Sequence, residues 1–341
     1  MAATMKKIRL ALVGAGRLGG FHADKIAACA VSELAGVYDP CFENAKRIAD
    51  KYKVPLFQSL EEIIPAADAV TIAAPTVEHA KLGLFFLSRG KHVLLEKPLA
   101  VTAAEASALK SEARKNRLVL HTGHTERFNP AWRGILPTLE KMNAPIIFDA
   151  VRVSPYSFRC VDVGAVLDMM IHDLELVLSV CRSPVTSISA VSFQEFGGHE
   201  DACAAQVIFE NGSTARFLAS RVERDSRREM NIYSRGTRIF LDFSQRRGEV
   251  VSTDPEILAG IYSPKKVVYG EILPLIPGFM RSHYPSEIFE KSPIDPLQEE
   301  EDLFASSILA GDTAAHDFGA EAVQLAERII AACGKNANHQ K

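Results

Sequence analysis

The sequence predicts an α/β protein in two parts, an N-terminal doubly wound parallel sheet and a C-terminal α+β domain on an open, mostly antiparallel sheet. Two observations carry this. Up to about residue 123, short apolar runs alternate with helical stretches, as strands linked by crossover helices do. From Pro145 the apolar segments follow one another with little helix between, and Asn211-Gly212 joins two of them in the manner of a hairpin turn. The expected units are therefore residues 1–123, residues 124–334 and a polar tail over residues 335–341.

The first element is the apolar run Ile8 to Val13, read as a buried parallel strand because it is continuous and bounded by glycine. Gly14-x-Gly16-x-x-Gly19 follows, with Arg17 and Leu18 inside it. These glycines let the backbone turn tightly and bring amide groups close to a pyrophosphate, and the helix that starts there points its positive end at the phosphate. A second apolar run, Leu34 to Tyr38, ends at Asp39, 20 residues after Gly19, where a carboxylate accepts hydrogen bonds from an adenosine ribose. Glycine-rich turns alone are common, but strand, glycines, helix, strand and terminal acid in this order specify a Rossmann dinucleotide site. Asp39 would repel a 2′-phosphate, and no basic residue follows it until Lys46 and Arg47, so NAD is favoured over NADP.

Bulk properties narrow the class. A length of 341 residues leaves ample chain for two cores, and 47% hydrophobic with 24% charged residues is ordinary for a globular protein. A net charge of -3 argues against nucleic acid or an anionic membrane as the main partner. The six cysteines (Cys29, Cys41, Cys160, Cys181, Cys203, Cys333) are scattered without a C-x-x-C pair. That pattern predicts reduced thiols in the cytoplasm and gives no zinc signature, so no metal is expected. No apolar stretch approaches the ~20 residues of a membrane helix, and the first run is a strand and not a signal peptide.

The remaining elements of the first domain follow in order. Glu43 to Tyr52 carries Ala45, Ile48, Ala49 and Tyr52 at helical spacing, and Leu60 to Ile64 is a short helix. Ala69 to Ala74 is a strand halted at Pro75-Thr76, which opens a loop at the carboxyl edge where α/β sheets bind ligands. His79 to Ser88 is helical and closes at Gly90; Lys91 to Leu95 is the next strand, followed at once by Glu96-Lys97-Pro98. Thr102 and Glu105 form a capping box for a helix to Lys115. Leu118 to Leu120 is the last strand and runs into the polar stretch His121 to Pro130. Asn129-Pro130 also reads as the N-cap and first residue of a helix through Met142, which gives Asn129 a purely structural alternative.

Glu96-Lys97-Pro98, preceded by Gly90-Lys91-His92 and downstream of Ala74-Pro75-Thr76 and His79, resembles the motif of the glucose-fructose oxidoreductase and inositol dehydrogenase family (Gfo/Idh/MocA). The resemblance spans nearly the whole chain, residues 249–296 excepted. It implies a lysine lying between nicotinamide and substrate, often at a cis Lys-Pro bond, with Ala74, Pro75, Thr76, His79 and Glu96 on the cofactor side. A rigid X-Pro turn at a strand end would hold a cation over the cofactor's reactive face; taken alone, Lys97 is a solvated loop lysine. Gly123-His124-x-Glu126-Arg127-Phe128-Asn129-Pro130 resembles the form of the nucleotide-sugar branch. His124, Arg127 and Asn129 are accordingly expected at the substrate, Arg127 because a guanidinium suits a carboxylate or phosphate.

In the second domain, Ile146–Val153, Val185–Gln194, Ala202–Glu210, Ser213–Arg221, Arg228–Ser234 and Thr237–Phe243 read as successive strands of a meander, covered on one face by helices. One long helix, Val163 to Cys181 with Asp162 as its cap, interrupts them. Asp168 and His172 stand at i and i+4, adjacent on one side of that helix, and Glu175 continues the line. A carboxylate can fix the tautomer of an imidazole and raise its basicity, as a general base requires. Alone the pair would be a surface contact; here it also matches the family's Asp-x-x-x-His motif. Arg221 to Arg247 contains eight arginines. Either they alternate on exposed strands, or some of Arg221, Arg224, Arg227 and Arg228 meet an anionic substrate or a partner subunit. Residues 249–296 read as a substrate-shaping or interface loop, and Pro296–Gly311 and Ala320–Cys333 as closing helices.

What the resemblance implies is hydride transfer between nicotinamide and a sugar, cyclitol or nucleotide-sugar CH–OH, with His172, oriented by Asp168, taking the hydroxyl proton and Lys97 polarising the oxygen. The motif form leans towards 3-oxidation of UDP-N-acetylglucosamine or a related nucleotide sugar, with a cyclitol or other sugar as the alternative. A non-catalytic dinucleotide sensor is the reading from another class, and it would be expected to lose Lys97 or His172. A homodimer or homotetramer through the outer face of the second sheet is also implied.

Overall fold

In a computed structural model, which describes residues 7–158, 161–196, 198–260, 276–290, 293–313 and 318–337, the first strand β1 (Ile8–Val13) is the second of five in a wholly parallel sheet. Its neighbours are β2 (Ser32–Tyr38) on one side and β3 (Ala69–Ile72), β4 (His92–Glu96) and β5 (Leu120–Gly123) on the other, giving the order β2-β1-β3-β4-β5. The chain therefore leaves β1 in one direction and returns past it to β3. The loops after these two strands part at that point and leave a crevice at the carboxyl edge of the sheet. Around the sheet lie α1 (Arg17–Ala28), α2 (Phe42–Tyr52), α3 (Leu60–Ala66), α4 (Thr76–Leu87) and α5 (Ala103–Asn116). The predicted capping box of α5 is present, with Thr102 Oγ accepting from Glu105 N–H and Glu105 reaching back to the Thr102 N–H.

After α6 (Pro130–Leu139), β6 (Ile147–Val153) opens the second sheet, completed by β7 (Val185–Phe193), β8 (Ala202–Phe209), β9 (Thr214–Ser220), β10 (Arg227–Ser234), β11 (Thr237–Asp242), β12 (Arg247–Ser252) and β13 (Ser286–Glu290). The spatial order is β13-β12-β11-β10-β6-β9-β8-β7. This corrects the single meander expected from sequence. Two antiparallel meanders flank β6, which pairs antiparallel with β10 and parallel with β9. A central strand needs a partner on both edges, and no local signal says which later strands supply them. Residues 249–296, unassigned from sequence, contribute most of β12, the short helix α8 (Pro255–Leu258), α9 (Ile276–His283) and the edge strand β13; the rest of that region lies outside the described residues. The closing helices are α10 (Pro296–Ala310) and α11 (Gly319–Ala337), so the expected tail begins as helix.

Val163–Cys181 is not one α-helix. Val166–Met170 forms a π turn in which Ile171 N–H bonds to the Val166 carbonyl five residues back, and regular α7 (Ile171–Cys181) follows. Asp162 does not cap this helix. Its carboxylate accepts from Thr76 N–H at 3.1 Å and thus caps α4 of the first domain. A continuous apolar core joins the two halves, running from Val70 and Leu95 through Trp132 to Phe148 and Phe217. No described helix is long and apolar enough to cross a membrane.

Candidate active site

The glycine turn is built as a phosphate cradle. Gly14 has φ +94°, and a Cβ there would lie 2.5 Å from the Ala73 carbonyl oxygen. A Cβ on Gly19 would lie 1.9 Å from the Gly14 oxygen, so α1 can approach β1 this closely only without a side chain. Gly16, the N-cap of α1, has open space where its Cβ would be and no side chain capping the helix. The first amides of α1 are thus left for a ligand, and the turn fits a dinucleotide pyrophosphate. Asp39, at the tip of β2, accepts from Ala15 N–H at 2.6 Å and Cys41 N–H at 2.8 Å, while Arg47 donates to the Ala15 carbonyl at 2.9 Å. The predicted acid therefore also braces the glycine turn. Arg17 leans over the Phe21 ring at 5.9 Å.

A cleft of about 890 Å³, reached from the glycine turn by Leu18, runs along the seam between the halves. Leu18, Ala74, Pro75, Thr76, Glu96 and Lys97 line its first-domain side, and Asp168 and His172 its second-domain side. These of the sequence-predicted cofactor and catalytic residues share one crevice, whereas Gly14, Gly16, Arg17, Gly19 and Asp39 are not among its lining. Lys97 precedes a cis peptide bond to Pro98, and its ammonium donates to the Asp168 carbonyl at 2.7 Å and Asp168 Oδ1 at 2.8 Å.

The expected Asp168–His172 pairing is corrected by this contact: the carboxylate is taken by Lys97, and no hydrogen bond joins it to the imidazole. The π turn is the physical reason. With an extra residue in the turn, i and i+4 no longer lie one above the other as on an α-helix. His172 Nδ1 is buried and has no hydrogen-bond partner among the described residues. Burial, then the charges of Lys97, Arg152, His124 and Arg228, holds the ring's pKa well below the ordinary histidine value. It is neutral at neutral pH.

Other predicted residues stand behind the cleft. His79 is 1% exposed and held between the Pro98 carbonyl (2.7 Å) and the Ala74 carbonyl (3.0 Å), bracing the cis turn instead of meeting a cofactor. Glu96 reaches the cleft but turns its carboxylate inward to His22 Nε2 (2.9 Å) and the Lys97 N–H (3.0 Å). The three expected substrate residues do not line the cleft. His124 is buried edge-on to His172 with ring centres 6.1 Å apart. Arg127 pairs with Glu175 at 3.1 Å and faces a separate hollow against α10. Asn129 caps α6, accepting from Ala131 N–H at 3.0 Å and donating to Glu126 and the Phe243 carbonyl. The structural alternative for Asn129 is the one realised.

Sequence reasoning missed Glu126, Arg152, Arg246 and Tyr156, which do line the cleft. Arg152 is 3% exposed and bridges Glu126 (2.8 Å) to Asp173 (2.8 and 3.0 Å). Its signal was an arginine in the inward phase of an alternating strand, which demands a buried carboxylate. Of the four arginines singled out in sequence, Arg221 is buried against Asp201 at 2.7 Å, Arg228 lines the cleft, and Arg224 and Arg227 are exposed elsewhere.

Residues 8–124 match the model of an oxidoreductase family with an NAD-binding Rossmann fold, GFO_IDH_MocA, and residues 150–239 match the GFO/IDH/MocA C-terminal domain. The chain is 34% identical over 239 residues to UDP-N-acetylglucosamine 3-dehydrogenase of Acidithiobacillus ferrooxidans, covering 70% of this chain and 75% of that one. It is 26% identical over 233 residues to scyllo-inositol 2-dehydrogenase (NAD(+)) of Bacillus subtilis, covering 63% and 68%. Among solved structures, UDP-N-acetylglucosamine 3-dehydrogenase GnnA of A. ferrooxidans superposes with a TM-score of 0.80 at 28% identity, over 96% of this chain and 98% of that one.

Proposed function

Because the chain belongs to the Gfo/Idh/MocA family of NAD-binding oxidoreductases, we propose that it oxidises a CH–OH group of a nucleotide sugar with Lys97 and His172 as the catalytic residues and NAD, in preference to NADP, as cofactor. The observation that carries the reading is an uncommitted, neutral imidazole in the cleft that holds the Lys97 ammonium and is lined by Leu18 of the glycine turn. Gly14, Gly16 and Gly19 hold the pyrophosphate, and Asp39 holds the ribose with a charge that repels a 2′-phosphate. The bound nicotinamide supplies a hydride acceptor.

An alcohol loses hydride from carbon only if the hydroxyl proton leaves as well, since the resulting carbonyl carries neither. His172, neutral in the free protein, takes that proton. Lys97, its position fixed by Asp168 and by the His79-braced cis turn, donates to the substrate oxygen and stabilises negative charge developing there. Asp168 is thereby a positioning residue for Lys97. The likeness to the UDP-N-acetylglucosamine 3-dehydrogenase supports oxidation at the sugar's 3-position. The five described cysteines are free thiols, which supports a reducing, cytoplasmic location. The outer face of the second sheet, with its apolar row of side chains, supports a homodimer or homotetramer.

Lys97→Ala and His172→Ala are each expected to lower turnover of UDP-N-acetylglucosamine by at least ~1000-fold while NADH still binds, the range expected for loss of a general base or an oxyanion donor. Unchanged turnover in both would remove these two residues from the chemistry.

A further inference from the structure

The charges lining the cleft are nearly all spoken for. Among its carboxylates, Glu96 is held by His22, Glu126 by Arg152, Asp162 by the Thr76 N–H, Asp168 by Lys97 and Asp295 by Lys25. Of its cations, Lys97, Arg152 and Arg221 have carboxylate partners. Two guanidinium groups do not. Arg228 has no ion pair or side-chain hydrogen bond among the described residues, and Arg246 donates only to the Ile294 carbonyl at 3.3 Å. Both are exposed into the cleft. Arg228 sits directly across the ladder from Arg152 and feels Glu126 and Asp173, the carboxylates that hold Arg152, without forming an ion pair with either.

The same wall of the cleft leads outward to an aromatic rim. Pro155, Tyr156 and Ser157 line the cleft just beyond β6. The Tyr156 ring stacks on Phe196 with centres 4.3 Å apart and planes at 19°, and meets Phe158 edge-on at 5.0 Å. Phe158 is 79% and Phe196 56% exposed, although both belong to one aromatic cluster. Arginines not ion-paired to carboxylates accept a polyanion, and the exposed rings of Phe158 and Phe196, packed on the cleft-lining Tyr156, accept a planar base; a neutral cyclitol would need neither.

We propose that Arg228 and Arg246 hold the diphosphate of the substrate, and that its nucleobase stacks on the rim formed by Tyr156, Phe158 and Phe196. The site takes a nucleoside diphosphate attached to the sugar that reaches His172. This assignment rests on the nucleotide-sugar reading and adds where the nucleotide lies. Lys97 and His172 handle the reacting hydroxyl, while the rim and the arginines fix the far end of the molecule and set which sugars are presented.

The test is equilibrium binding of uridine diphosphate, which has no sugar to oxidise, to the full-length protein saturated with NAD. Binding is expected to weaken at least about tenfold, roughly 1.4 kcal/mol, in each of Arg228→Gln and Arg246→Gln. Phe196→Ala should weaken uridine diphosphate but leave inorganic pyrophosphate unaffected, since pyrophosphate has no base. NADH affinity equal to wild type verifies that each variant is folded. If uridine diphosphate binds wild type and all three variants alike, the subsite is elsewhere, although the nucleotide-sugar reading stands. If it does not bind wild type while UDP-N-acetylglucosamine is still oxidised, the subsite alone is overturned. If neither binding nor oxidation occurs and a simple sugar is oxidised instead, both readings fall.

Discussion

At the scale of single residues, the role proposed for His172 makes its imidazole the group expected to set the pH behaviour. Burial and the surrounding cations Lys97, Arg152 and Arg228 disfavour its protonated form, so its pKa lies well below the ordinary value of 6.5. Protonation removes the proton acceptor, and the acid limb of kcat/KM is therefore expected to have its midpoint below pH 6.5. Arg228→Gln takes away one of the opposing charges and should move that limb to higher pH, read from kcat/KM determined at subsaturating substrate, where the ring of the free enzyme titrates. An acid limb that stays in place, or moves down, would dissociate it from His172. Residue identity also shows how far a motif can be carried. Asp168 and His172 were legible as a pair from their spacing, and both do reach the cleft, but the partner of Asp168 turned out to be Lys97, 71 residues away in the chain. Arg127 looked like a ligand because it sits in a polar run after a strand; Glu175, on another element, claims it.

At the scale of elements, periodicity located most strands and helices because each buries one face and the apolar residues mark it. It could not foresee the π turn at Val166–Met170, whose cause is tertiary: the Val166 N–H and the Ala165 N–H are tied to Glu200, from the segment before β8. Nor could it place β6 between β9 and β10. That placement matters for assembly. On the open face of the second sheet the register aligns Val151, Leu218, Ala204 and Val191 across four neighbouring strands, and Val191 is 63% and Leu218 37% exposed. An apolar row of this kind costs free energy in water and suits a second copy of the same face. Leu218→Glu places a charge in the middle of it, and light scattering should report a smaller species than for wild type, with secondary structure unchanged. A wild-type protein that already scatters as a monomer would dispose of this interface.

At the scale of the whole molecule, a buried carboxylate–imidazole–carboxylate bridge fastens the halves beneath the site. His22 on α1 donates at 2.9 Å to Glu96, next to Lys97, and at 2.8 Å to Glu301 on α10, which also accepts from Thr71 on β3. Burial opposes the charge on His22, but the hydrogen bonds to Glu301 and Glu96 outweigh it and push the pKa up to about 10. A folded-state pKa raised above the unfolded value gives stability that is complete below pH 6.5 and is lost as the pH rises towards 10. Glu96 is displaced the other way, held below its usual range despite burial by His22 and Lys97, so its share is lost as the pH falls through the acidic range. His22→Gln should destabilise the protein at pH 7 by about 3–5 kcal/mol, since it strands two buried carboxylates. It should also flatten the decline in the urea midpoint between pH 6.5 and 10; an unaltered slope in that window would mean the charge is not on His22.

The sequence by itself determined the cofactor end of the protein and the two-part architecture. A glycine turn, its strand and the acid at the end of β2 are contiguous or nearly so, and their conformations follow from local sterics and hydrogen bonding. Lys97 and its proline are legible for the same reason. Only the tertiary structure decided which side chains face the cleft and which are consumed in holding it. That depends on the partners long-range packing delivers: Asp168 to Lys97, Asp162 to α4, Glu301 to His22 and Glu175 to Arg127. A buried charge goes to whatever opposite charge the fold brings within reach, and spacing along the chain carries no record of that.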